Sequence, residues 1–106
     1  ISAIEFSNRV KTGNINILDV RRDGEFQSMH IENAKHFALD LINEQMNDVS
    51  KDKTYYIHCA GGYRSVIAAS ILQTRGFYKL VDVAGGFDAI KTTDLPMTDF
   101  VCPSTL

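Results

Sequence analysis

The sequence has only two cysteines, Cys59 and Cys102, and neither sits in a Cys-x-x-Cys or Cys/His ligand spacing. That spacing argues against a zinc site. A disulfide framework is not expected in a domain with this much core material, so the expected setting is a reducing cytoplasm. Neither sign of charge dominates: the formal net charge is −2 over 106 residues, with no footprint for nucleic acid. No apolar run approaches the length that spans a bilayer. No basic-then-apolar segment of the signal-peptide type opens the chain. The histidines, His30, His36 and His58, are scattered. Each reads as a surface or satisfied core residue, and no metal or cofactor is expected.

What is there suits one folded domain. Hydrophobic residues make up 44% and charged residues 23%, the balance of a globular chain with its own core rather than a disordered one. The first residue is Ile1, not Met. Residues 1–106 are therefore expected to be a single domain cut from a longer protein.

Read in order, Ser2 and Glu5 have capping-box spacing, and Ile4, Phe6 and Val10 predict a short helix ending near Gly13. Ile15 to Val20 reads as a strand running into a polar group, Asp19, Arg21, Arg22 and Asp23. A short helix is expected over Glu25 to Met29 and a weaker strand over Ala34 to Ala38. Asp40 is expected to cap a helix carrying Leu41, Ile42 and Met46. Tyr55 to His58 is an aromatic and β-branched run that predicts a buried strand. A helix follows, ending at Gly76 as a C-terminal cap. Leu80 to Val83 is the last expected strand, Gly85-Gly86 leads into a short helix near Phe87 to Lys91, and the tail from Thr92 is expected to be irregular. Alternation of strands and helices predicts an α/β fold, an open parallel sheet of about five strands with helices on both faces. In such sheets ligands bind beyond the C-terminal strand ends. Asp19 with Arg21, Cys59, and Gly85-Gly86 all fall at such ends.

The stretch Cys59-Ala60-Gly61-Gly62-Tyr63-Arg64-Ser65 is the chemical centre. It predicts a tight turn between a buried strand and an apolar helix, closing a ring of backbone N–H groups around Cys59. A helix N-terminus attracts anions because its first N–H groups lack partners and its dipole end is positive. A cysteine held there is expected to be largely thiolate near neutral pH, and the thiolate is the nucleophile. Arg64 adds a positive charge at the rim. The competing reading is a structural cysteine at the end of a core strand; the glycine pair, the arginine and the helix onset favour reactivity. Tyr63 either lines the pocket mouth or packs. Ile67, Ala68, Ile71 and Leu72 read as core. Cys102 reads as an ordinary free thiol in the tail.

These residues resemble a rhodanese, or sulfurtransferase homology, domain. Cys59 to Ser65 fits the family loop C-x-x-G-x-R-(S/T). Leu18-Asp19-Val20-Arg21, Glu25-Phe26, His30-Ile31 and Ala34 fit its upstream signature, and Gly85-Gly86-Phe87 fits its closing glycine pair. Met29, Glu32 and Asn33 depart from the family's usual glycine and Pro-Gly positions, and Ile90 replaces a common aromatic.

The resemblance implies a rhodanese-like fold and covalent catalysis. Cys59 would take the outer sulfur of thiosulfate or a low-molecular-weight persulfide and pass it to a thiol or to cyanide. The N–H groups of residues 60 to 64 would hold the transferred sulfur as an anion, and Arg64 would orient an anionic donor. Ser65 would cap the loop–helix junction. Asp19 and Arg21, with Gly85 and Gly86, would brace the site rather than react. The implied partners are a small anionic sulfur donor and a thiol acceptor, with no nucleic acid or membrane. The loop and the Val101–Leu106 ending also resemble rhodanese domains fused behind metallo-β-lactamase-fold hydrolases of the persulfide-dioxygenase type. That makes an accessory or docking module serving such a partner domain the alternative. A cysteine phosphatase or arsenate reductase ranks behind both, because that loop has five residues between Cys and Arg and this one has four.

Overall fold

The computed structural model describes residues 1–13 and 15–98. Its elements are α1 (Ala3–Thr12), β1 (Asn16–Asp19), α2 (Asp23–Ser28), β2 (His30–Ile31), β3 (Lys35–His36), β4 (Tyr55–His58), α3 (Arg64–Thr74), β5 (Leu80–Asp82), α4 (Gly86–Ile90) and β6 (Met97–Thr98). Four strands form one parallel sheet in the order β3-β1-β4-β5. This is the expected rhodanese-like α/β architecture, with four strands in the main sheet rather than about five. The remaining two, β2 and β6, make a separate antiparallel pair. β6 falls in the tail expected to be irregular.

Side chains alternate across the sheet because the strand period is two. Leu18, Val20, Ile57 and Cys59 face a cluster completed by Phe37, Ile42, Ala68 and Leu72. Ile17, Tyr56 and Val83 face the opposite cluster, with Phe6 of α1 and Ile90 of α4. Covering on both faces is why all four residues of β4 are buried and why its sequence lacks polar alternation. Ile90 is fully buried, so it fills apolar space where the family often has an aromatic ring.

The ends of α1 and α3 follow local chemistry. Ser2 Oγ accepts the Glu5 N–H at 3.1 Å, which satisfies one of the orphan donors of α1. α3 closes in a Schellman motif: Gly76 takes φ +91°, its N–H donates to Gln73, and the Phe77 N–H donates to Leu72, the pattern that satisfies terminal carbonyls. Ala68 and Leu72 are buried as expected, but Ile67 is 42% exposed. Over one short helix the apolar stripe is wider than the face that meets the sheet.

The helix expected from Asp40 does not form. Two 3-10 turns, Leu39–Leu41 and Met46–Asp48, take its place, and Ala38 rather than Asp40 holds the first N-cap position. Two facts account for this. The Phe37 and Leu39 N–H groups donate to Asp19 and Val20 carbonyls, fastening the segment across the end of β1. Asn43, Asn47 and Asp48 then favour turns, since their side chains compete for backbone groups. Ile42 is buried and Met46 half-buried all the same. Among the described residues no helix is long and apolar enough to cross a membrane. Cys102 and the Val101–Leu106 ending lie outside the described residues.

Candidate active site

Cys59 is the first residue beyond β4. Its backbone is held from the opposite side of the sheet. The Phe87 N–H donates to the Cys59 carbonyl at 2.6 Å, and the Asp88 N–H donates to the Ala60 carbonyl at 2.9 Å. This close approach needs Gly86, at φ +58°. A Cβ there would overlap the Cys59 carbonyl and lie 2.8 Å from both the Ala60 oxygen and the Gly62 nitrogen. Gly86 thus lets α4 close against the loop.

The loop from Ala60 to Tyr63 turns through Gly62, at φ +93°. That conformation aims the Gly62 N–H at Cys59 Sγ, 3.1 Å away. α3 starts at Arg64, so the sulfur sits at the N-terminal end of an 11-residue helix. Cys59 is 1% exposed and Tyr63 81%; the tyrosine is at the surface, not packed.

Ser65 departs from expectation. The N-cap position of α3 belongs to Tyr63, with no side-chain bond, so Ser65 does not cap. It is fully buried. Its hydroxyl donates to Asp82 Oδ1 at 2.5 Å, and its oxygen lies 3.7 Å from Cys59 Sγ. A buried hydroxyl needs a partner, and the carboxylate at the end of β5 supplies one.

Arg64 is held. Its Nη1 and Nη2 donate to Glu25 Oε1 and Oε2 at 2.8 and 3.0 Å. Glu25 also accepts the Arg22 N–H at 3.0 Å. The Arg64 guanidinium is the first cause that holds the Glu25 carboxyl down at about 2, with the Arg22 N–H adding to it against the opposing effect of burial. The guanidinium in turn is raised above its ordinary value, first by that hydrogen bond. Glu25 was visible in the sequence only as part of the family signature. Its pairing with Arg64, 39 residues away, makes it part of the site.

Asp19 and Arg21 form a second, deeper pair. Arg21 Nη2 donates to Asp19 Oδ2 at 2.8 Å and Nε to Oδ1 at 3.0 Å. Nη2 also donates to the Met29 carbonyl at 2.7 Å. The guanidinium carbon stands 3.9 Å from the centre of the Phe87 ring, a cation–π contact. The backbone N–H of that same phenylalanine holds the Cys59 carbonyl. The pair therefore supports the loop through α4, without reaching Sγ.

His58, opposite Asp19 in the β1–β4 register, is fully buried. Its Nε2 lies 3.7 Å from Asp19 Oδ2. Burial, the first cause, lowers its basicity despite the attraction of Asp19. His30 and His36 are satisfied by the Phe26 and Arg21 carbonyls.

Beside the loop is a cleft of about 450 Å³, lined by Val20, Arg22, Leu39, Asp40 and Arg64. Val20 and Leu39 make it apolar, while Arg22, Arg64 and Asp40 bring charge of both signs, a lining that suits a small polar molecule. The geometry as a whole combines a buried sulfur, a loop N–H directed at it, a helix N-terminus and an adjoining cleft.

Known proteins resemble this chain in sequence and fold. Residues 2–93 match the family described as Rhodanese-like domain. The chain is 33% identical over 87 residues to the putative sulfur carrier protein YrkF of Bacillus subtilis, covering 81% of this chain and 47% of that protein. It is 32% identical over 91 residues to the thiosulfate sulfurtransferase GlpE of Coxiella burnetii, covering 86% of this chain and 85% of the other. It thus spans about half the length of the first of these relatives and most of the second. The crystal structure of a rhodanese-like domain protein from Staphylococcus aureus superposes with a TM-score of 0.82 at 35% identity, covering 91% of this chain and 94% of that one. Reduced Bacillus anthracis CoADR-RHD superposes with a TM-score of 0.77 at 32% identity, over 87% of this chain and 16% of that much longer one. Family match, identity and superposition agree: the chain belongs to the rhodanese-like domain family.

Proposed function

We propose that the domain is a sulfurtransferase in which Cys59 accepts a sulfane sulfur from a small donor and passes it to a thiol. The observation that carries this reading is the Gly62 N–H set 3.1 Å from a sulfur at the start of α3. Such a donor stabilises negative charge on sulfur in a site closed to water. With thiosulfate, the Cys59 thiolate attacks the outer sulfur, the donor S–S bond breaks, and sulfite leaves with the electron pair. Cys59 then carries a persulfide anion. An acceptor thiolate attacks the terminal sulfur and the Cys59 thiolate departs. A low-molecular-weight persulfide donor follows the same course with a thiolate leaving.

The Coxiella relative's name, thiosulfate sulfurtransferase, and the Bacillus relative's, putative sulfur carrier, support this reaction class. Because the reaction needs Cys59 reduced, we place the domain in the cytoplasm. The phosphatase alternative is disfavoured by the four-residue spacing from Cys59 to Arg64. Service to a fused metallohydrolase domain stays a proposal about the partner and uses the same chemistry.

Intact mass after incubation with thiosulfate, or with a glutathione-type persulfide, tests the reading. The expected result is a gain of one sulfur, removed by thiol or cyanide and absent in Cys59→Ala. No gain from either donor overturns it.

A further inference from the structure

Asp82 ends β5 and faces the first turn of α3. Its side chain has one hydrogen-bond partner among the described residues, the Ser65 hydroxyl, 2.5 Å from Oδ1. Ser65 is buried and its oxygen lies 3.7 Å from Cys59 Sγ. Three groups, from the loop after β4, from α3 and from β5, thus form a continuous chain: thiol, hydroxyl, carboxylate.

A serine hydroxyl has one proton to give and lone pairs to offer. An ionised carboxylate at short range is the stronger acceptor, so the proton is directed to Asp82. What Ser65 then turns toward Cys59 is a lone pair. That lone pair accepts an S–H and repels a bare thiolate. Toward the Sγ of a persulfide, which bears neither proton nor charge, it is nearly indifferent. The hydrogen-bond chain consequently works against the Gly62 N–H, which favours the anion.

The other charged groups around Cys59 do not take this role. Arg64 on α3 is engaged by Glu25 of α2. Asp19 at the end of β1 and Arg21 just beyond it engage each other. His58 on β4 contacts the Cys59 carbonyl through Nδ1. From α4, Asp88 offers the loop its backbone N–H. On β5 itself, the Ile1 amino group donates to the Asp82 carbonyl at 2.7 Å.

We propose that Asp82, acting through Ser65, is a positioning residue that holds resting Cys59 as a thiol and slows the discharge of a bound sulfur. The second half follows from the first. Discharge releases Cys59 as a thiolate, and a thiolate that is disfavoured is a poorer leaving group. The discharge half rests on the sulfur-transfer reading above; the acid–base half does not.

The test is the pH–rate profile of Cys59 alkylation by iodoacetamide, read at the Cys59 peptide by mass. Asp82→Asn is expected to move the midpoint down by about one pH unit, a roughly tenfold gain in reactivity on the acid side. Ser65→Ala is expected to move it the same way, and Ser65→Thr to keep the wild-type profile. In the Ser65→Ala background, Asp82→Asn should add nothing. An unchanged or raised midpoint in Asp82→Asn overturns the proposal. So does a shift that persists without the hydroxyl, since the carboxylate would then act through space. If Asp82→Asn does not fold, Ser65→Ala against Ser65→Thr decides: equal midpoints overturn it. In the second arm, protein loaded with sulfur is treated with excess thiol, and Asp82→Asn should discharge several-fold faster; an equal rate overturns the discharge half. Failure of the wild type to load at all counts against the sulfur-transfer reading, while the alkylation arm still decides on Asp82.

Discussion

Two arginine–carboxylate pairs flank the cysteine loop, and they differ mainly in depth. Arg21–Asp19 has side chains 5% and 0% exposed; Arg64–Glu25 has 29% and 37%. Both are two-pronged. The deep pair is further fixed by the Met29 carbonyl, the Phe87 ring and the neighbouring His58, so it has no freedom to reorganise. The shallow one borders the cleft, where solvent reaches it, and it is expected to exchange Glu25 for another anion more readily. The same chemical pair is thus a brace in one place and a latch in the other, and solvent access makes the difference.

The largest expected effect breaks the brace. Asp19→Asn leaves the Arg21 charge buried without its counter-ion, which costs about 3–5 kcal/mol. Urea denaturation measures it, and a loss below about 1 kcal/mol would make the two pairs equivalent. Next is acid sensitivity near neutrality. His58 binds a proton less readily in the fold than in the unfolded chain, because burial opposes its charge. Stability is therefore full above its ordinary value of 6.5 and falls as pH drops below it, by up to about 1.4 kcal/mol per unit for one proton. His58→Asn should flatten that slope; an unchanged slope would shift the cause elsewhere.

The latch responds later. Glu25 titrates from 4.5 in the unfolded chain to about 2 in the fold. Its contribution is present above 4.5 and is lost as pH falls through about 2. Removing it with Glu25→Gln should change stability by no more than about 1 kcal/mol, since the pair is over a third exposed on the carboxylate side and screened by solvent. The smaller but more telling effect is on binding. With Arg64 released, KM for thiosulfate should fall a few-fold, and the gain should shrink in high salt. A raised KM would mean that Glu25 orients Arg64 rather than withholding it.

Which of these features could be read from the chain depended on how far apart their parts lie. The Cys59 loop, the strand before it and the cap at Gly76 are local, and residue types within a dozen positions specify them. Asp19 and Arg21 are two residues apart, so their pairing is also local. By contrast, Ser65 was read as a cap because nothing nearby announces Asp82, 17 residues later. For Arg64 the sequence shows a positive charge at the rim but not its partner, because Glu25 lies on another element. The segment after Asp40 has helical apolar spacing, yet its backbone is fastened to the end of β1. That tertiary contact overrides propensity. β6 is two residues long and pairs with β2, far away in the sequence.

The hold of α4 on the loop has a consequence for the order in which the molecule is made. Phe87 and Asp88 supply the N–H groups that fasten the Cys59 and Ala60 carbonyls, and they follow the cysteine by nearly thirty residues. On a ribosome adding about 5–20 residues per second, the cysteine therefore emerges before its enclosure does. Even after β5 emerges, the loop still lacks its clasp. The nascent chain thus passes through an interval in which this sulfur is open to oxidants and foreign thiols.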